Sequence, residues 1–93
     1  MKTIFKYKLT IEDEQIIKMP LEAIILDTQI QNGTPYIWAL IDIDKTEAEY
    51  LFRTIGTGHR IEDDFKGRYV GTYQFPLPES PLVFHVFLMD YKI

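Results

Sequence analysis

The sequence predicts an all-β fold: a single small β domain over residues 1–93, with about seven short antiparallel strands arranged as a β-sandwich, jelly roll or barrel. Three observations carry this expectation. Apolar residues recur with a period of two along most of the chain, the spacing that puts alternate side chains on one face of a strand. Turn formers interrupt these runs at short intervals: Asn32-Gly33, Gly56-Thr57-Gly58 and the PLPESP stretch at 76–81. Helical spacing is nearly missing, and only Lys45 to Leu51 has room for a helical turn or two.

The first run, residues 3 to 9, sets Phe5, Tyr7 and Leu9 on one side and Lys6 and Lys8 on the other. A polar turn, Ile11 to Glu14, leads to a short run from Gln15 to Met19 that Pro20 ends. Runs from Ala23 to Gln31 and from Pro35 to Ile43 meet across Asn32-Gly33. Asn-Gly between alternating apolar runs signals a type I′ hairpin, because that turn needs positive φ at both central positions. With Gln31 facing Thr34, one face pairs Ile24 with Ile41, Leu26 with Ala39 and Thr28 with Ile37, and this face is the expected core. The other pairs Ile25 with Leu40, Asp27 with Trp38 and Gln29 with Tyr36. Two aromatics among amides and a carboxylate suit a ligand platform, or else cover a second layer with Asp27 taking the indole N–H. Further runs follow at Glu49 to Ile55, Arg68 to Phe75 and Leu82 to Tyr91.

Composition narrows the function. With 46% hydrophobic and 26% charged residues, the chain has the make-up of a folded domain rather than a disordered one. A net charge of −4 argues against general nucleic-acid binding, which needs a basic surface. Without cysteine there is no disulfide, thiolate metal site or cysteine nucleophile. Lysines break the N-terminal MKTIFKYKL, so it lacks the apolar core of a secretory signal, and no run has the length of a membrane span. The expectation is a soluble cytoplasmic protein. Large apolar side chains on so short a chain also point to a homo-oligomer.

The most suggestive stretch is IGTGHR, residues 55 to 60. Glycines let a backbone turn its N–H groups onto an anion, and His59, Arg60 and nearby Arg53 supply charge. No Walker or dinucleotide pattern is completed, however, and no helix follows, so the tight end of a strand is the competing interpretation. The candidate ligand-binding residues are therefore Gly56, Thr57, Gly58, His59, Arg60 and Arg53, with Tyr36 and Trp38 to stack on a base. His85 alternates with apolar residues in a run apolar on both faces, which suits a hydrogen-bonded core histidine in a central strand. The two histidines are isolated in sequence, and the acidic Glu62-Asp63-Asp64 suits a solvated loop, so no metal site or cofactor is expected. Ser80, between Glu79 and Pro81, has no nucleophile elbow, and no catalytic set is recognisable.

The segments KTIFKYKL, MP before AIIL, QNGTPYIWALID, FRTIGTGH, YVGTYQF and VFHVF stand in this order. The succession resembles a set of small phage and prophage proteins grouped as a domain of unknown function, which typically read KTIWKY…MP…QNG…LWALVD…GTGH…YVGT…FHVF. The resemblance covers essentially the whole chain. It departs at Phe5, where tryptophan is common, and in a more acidic region at 44–50. It brings no settled activity, and implies a phage gene product in the bacterial cytoplasm with an accessory or counter-defence role. Two classes of function follow. One is a non-enzymatic module that captures a small anionic ligand such as a nucleotide. The other is an interaction or structural module that binds a host or virion protein.

Overall fold

The structure, a computed structural model, describes residues 1–92, with side chains as far as Asp90. Seven strands run in order: β1 (Lys2–Lys8), β2 (Glu14–Pro20), β3 (Ile24–Gln31), β4 (Thr34–Asp42), β5 (Glu47–Gly56), β6 (Arg68–Phe75) and β7 (Leu82–Lys92). They form a three-stranded sheet in the order β1-β4-β3 and a four-stranded sheet in the order β2-β5-β7-β6. Every pairing is antiparallel. The two sheets stack as a sandwich, the all-β architecture that period-two patterning predicts. Among the described residues no helix is long and apolar enough to cross a membrane.

The core lies between the inner faces. Ile37, Ala39 and Ile41 of β4 meet Tyr50 and Phe52 of β5 and Val86 of β7, all nearly inaccessible to solvent. Alternation explains their selection, because one residue in two along a strand faces inward. The buried Tyr50 hydroxyl donates to the Pro20 carbonyl at 2.7 Å and accepts the Ala23 N–H at 3.1 Å. It thereby ties the β2–β3 connection to the core.

Asn32 and Gly33 have φ of 52° and 80°, the type I′ hairpin expected from Asn-Gly. From the turn to Asp27↔Trp38 the register follows expectation, and then it slips. A β-bulge at Leu26 leaves Ile25 opposite Ala39 and Ile24 opposite Leu40. One extra residue reverses the faces beyond it. Ile25 therefore packs on the core, whereas Ile24 and Leu26, expected inside, are 56% and 46% exposed. The bulge lies where β3 crosses β6, which carries its own bulge between Tyr69 and Gly71. At this crossing a Cβ on Gly71 would stand 2.9 Å from both Asp27 Oδ1 and Thr28 Cγ2. The helical turn allowed at Lys45 to Leu51 is also corrected. A turn closed by Lys45 N–H on the Asp42 carbonyl gives way to strand from Glu47, because Ala48, Tyr50 and Phe52 alternate into the core.

Candidate functional site

The IGTGHR stretch closes β5. Gly56 pairs with Phe84, and the Thr57 N–H extends the ladder to the Val83 carbonyl at 3.1 Å. The chain then reverses: His59 N–H donates to the Gly56 carbonyl at 3.1 Å, and Gly58 takes φ of 84°. A closed four-residue turn with positive φ at its third position has the type II signature. The two glycines serve different needs. Gly58 supplies the left-handed φ, while Gly56 makes room for the His59 ring, which a Cβ there would approach to 3.0 Å. Because the Thr57 and His59 N–H groups are bonded inside the chain, the loop does not present them to a phosphate.

Beside the turn, His85 projects from the outer face of β7, opposite in direction to the buried Val86. It is half-buried and bonded at both ring nitrogens: Nε2 to Thr57 Oγ1 at 2.7 Å and Nδ1 to Thr72 Oγ1 at 3.0 Å. The Tyr69 hydroxyl continues the chain to Thr72 Oγ1 at 2.6 Å. One proton order satisfies every group: Tyr69 O–H donates to Thr72, Thr72 O–H to Nδ1, and Nε2–H to Thr57. The central strand and hydrogen-bonded histidine expected from the sequence are both present, although His85 lies outside the core.

Segment 57–67 returns across this outer face. Phe65 meets Phe87 edge-on with ring centroids 4.9 Å apart, and the Arg53 guanidinium lies 5.5 Å from the Phe65 ring centre. Arg53 Nη1 also donates to Glu62 at 2.7 Å. This hydrogen bond holds the Glu62 carboxyl below its ordinary range. Glu62 of the acidic run is therefore a clamp on the loop, and Arg53 is already neutralised by it.

Two cavities flank the turn. One of about 420 Å³ has Thr57, His59 and Ser80 as polar walls and Pro81 with the start of β7, Leu82 to Phe84, as its apolar floor. The other, about 100 Å³, is lined by Asp13, Arg53, Thr54, Ile55, His59 and Arg60. His59 borders both. Sequence separation hid Ser80 and the β7 floor, and also the Thr57–His85–Thr72–Tyr69 chain. The adjacency of two strand ends, β5 and β7, creates them. Among the described residues no group of three or more histidines, aspartates or glutamates is placed to hold a metal ion.

Tyr36 and Trp38 stand elsewhere. They alternate with the buried Ile37 and Ala39, so they project from the outer face of the three-stranded sheet, away from the four-stranded sheet and its loop. Their rings meet edge-on at 5.8 Å, and Trp38 lines a separate cavity of about 310 Å³ with Ile4, Leu26, Asp27 and Gln29. Asp27 accepts from the Thr28 N–H at 2.8 Å and from Gln29 Nε2 at 3.0 Å. The structure thus gathers Gly56, Thr57, His59 and Arg60 at one end of the fold, sets Arg53 beside them in an ion pair, and separates all of these from Tyr36 and Trp38.

A family model described as a domain of unknown function, DUF7352, matches residues 1–92. No curated protein and no solved structure matches the chain.

Proposed function

The chain belongs to the DUF7352 family, and we propose that it is a non-enzymatic module that captures a small anionic molecule at the turn after β5. One observation carries the reading: polar Thr57, His59 and Ser80 face an apolar floor across a cavity of about 420 Å³. That size falls within the range of about 300 to 1,000 Å³ usual for small-molecule sites. Such walls suit a ligand with an apolar or aromatic body and one charged end, as in a nucleotide. Arg60 is exposed, forms no ion pair among the described residues and lines the smaller cavity that adjoins this one at His59. It and His59 are therefore the groups available to an anionic end placed on the His59 side. Arginine fits this role because its guanidinium is always charged and forks onto two oxygens. The likeness to small phage and prophage proteins supports an accessory or counter-defence role in the cytoplasm of a bacterial host.

Native mass spectrometry of protein from cells reports any molecule carried along. Calorimetric titration with mono-, di- and cyclic nucleotides then compares wild type with His59→Ala, Arg60→Ala and Trp38→Ala. The expected result is at least a tenfold loss, about 1.4 kcal/mol, in the first two variants and none in Trp38→Ala. If no nucleotide binds, or if Arg60→Ala binds like wild type, this reading fails. The second reading, docking of a host or virion protein, is favoured by the exposed apolar side chains Ile4, Ile24 and Leu26.

A further inference from the structure

The two outer faces of the sandwich are treated differently. Segment 57–67 covers part of the four-stranded sheet through Phe65 on Phe87, whereas the three-stranded sheet leaves Ile4 and Ile24 each 56% exposed. This second face is laid out in rows, because β4 lies between two strands in register with it. Lys6, Trp38 and Asp27 form one row across β1, β4 and β3, and Ile4, Leu40 and Ile24 form another. The β1 side carries Lys2, Lys6 and Lys8 on this face. The β3 side carries the half-buried Asp27, whose Oδ2 accepts from Gln29, with Glu22, paired with Lys45, at the strand's entry.

We infer that this face joins two copies of the chain, packed face to face about a two-fold axis that runs along β4. This goes beyond the ligand reading and does not depend on it. Rotation about that axis lays β1 of one copy over β3 of the other. It sets Lys6 against Asp27 and Ile4 against Ile24, while Trp38 and Leu40 meet their own counterparts. Each row is complementary to itself reversed, which a closed isologous dimer requires. An axis across the strands would instead lay the lysines of β1 on one another, and like charges opposed across an interface are unfavourable. Lys6 already leans over the face: its ammonium stands 4.5 Å from the Tyr36 ring centre and donates to Gln31. Three strands of ordinary spacing and rise give a face of about 14 by 23 Å. That is less than the roughly 800 Å² per partner of a standard stable complex, so the dimer depends on concentration.

Sedimentation velocity across about 5 to 500 µM, a range suited to a small interface, tests this. Wild type should rise from the 11.0 kDa monomer toward twice that mass. Lys6→Asp and Asp27→Lys should each move the midpoint at least tenfold higher, and the double variant should bring it back. Circular dichroism reports whether each variant is folded. Trp38→Lys, which leaves both charges in place, should also give monomer and supplies the test if a charge variant misfolds. A wild type that stays at 11.0 kDa throughout overturns the inference and leaves the face to a different protein. A dimer indifferent to Trp38→Lys overturns it too, as does a double variant no better than the folded single ones.

Discussion

Thr57 Oγ1 stands 2.7 Å from Nε2 of His85, so the first residue beyond β5 is hydrogen-bonded to the middle of β7. A second bond, Thr57 N–H to the Val83 carbonyl at 3.1 Å, fixes the same residue from its backbone. The turn that follows is therefore anchored at its base, and its tip, Gly58, is spanned by the bond that closes the turn, His59 N–H to the Gly56 carbonyl. Thr57→Val keeps the shape of the side chain and leaves one imidazole nitrogen without its partner. The expected loss is about 1 kcal/mol, the usual net worth of such a bond, and Thr57→Ser should recover most of it. Urea denaturation measures both. A Thr57→Val midpoint equal to wild type would show that solvent replaces the hydroxyl without cost.

At Gly71 the backbone of β6 lies tight against β3 of the other sheet. A methyl group there would stand 2.9 Å from the Thr28 side chain and from Asp27 Oδ1. Thr28 is buried, with its hydroxyl bonded to the Tyr36 carbonyl at 2.8 Å, so it has little freedom to move aside. Gly71→Ala should cost about 1 to 3 kcal/mol, the usual range for overpacking a fitted core. Thermal unfolding checks the size of the effect. Amide exchange should show the loss concentrated along β3 and β6, and a uniform loss would contradict the local clash.

These contacts also explain how much the sequence could reveal. The β6 span and the Asn32-Gly33 turn were legible because each follows from local rules, alternation in one case and φ preference in the other. The bulge at Leu26 was not legible, since it accompanies the crossing of β3 over β6, a contact between distant parts of the chain. That slip put Ile24 and Leu26 on the outer face in place of the core. The site follows the same division. The two glycines of the turn could be read as marking where β5 ends and the chain reverses, and Gly58 takes the positive φ that reversal needs. Nothing local, however, indicates which sheet face a strand presents. The separation of Tyr36 and Trp38 from His59 was therefore hidden until the layers were known.

Tyr73 lies in the core at 4% exposure, and its hydroxyl has no hydrogen-bond partner among the described residues. Its ring is packed among Phe75 and Phe84, with centroids 5.7 and 5.5 Å away. Burial pushes its phenol above the ordinary tyrosine value. Because an unsatisfied buried hydroxyl carries a desolvation cost of about 1 to 3 kcal/mol, Tyr73→Phe should be neutral or stabilising. Chemical denaturation of the two proteins decides this. A clear destabilisation would mean that the hydroxyl is bonded in solution, to a water or a ligand reaching the core.

The clamp between Arg53 and Glu62 makes the covering segment sensitive to acid. Glu62 has its carboxyl pKa lowered from the ordinary 4.5, chiefly by the hydrogen bond from Arg53. A carboxyl whose folded pKa lies below its unfolded one stabilises the folded state above the unfolded value. That contribution fades as the pH falls through the folded value. Segment 57–67 should therefore be held at pH 6 and loosened at pH 3, while the aromatic contact of Phe65 with Phe87 has no charge to lose. Glu62 is exposed to water and the pair is screened, so its effect is confined to this segment and weakened by salt. Hydrogen exchange of residues 60–66 at the two pH values measures it, after correction for the intrinsic dependence of exchange on pH. In Glu62→Gln the corrected difference should largely vanish, and an unchanged difference would assign the acid response to another group.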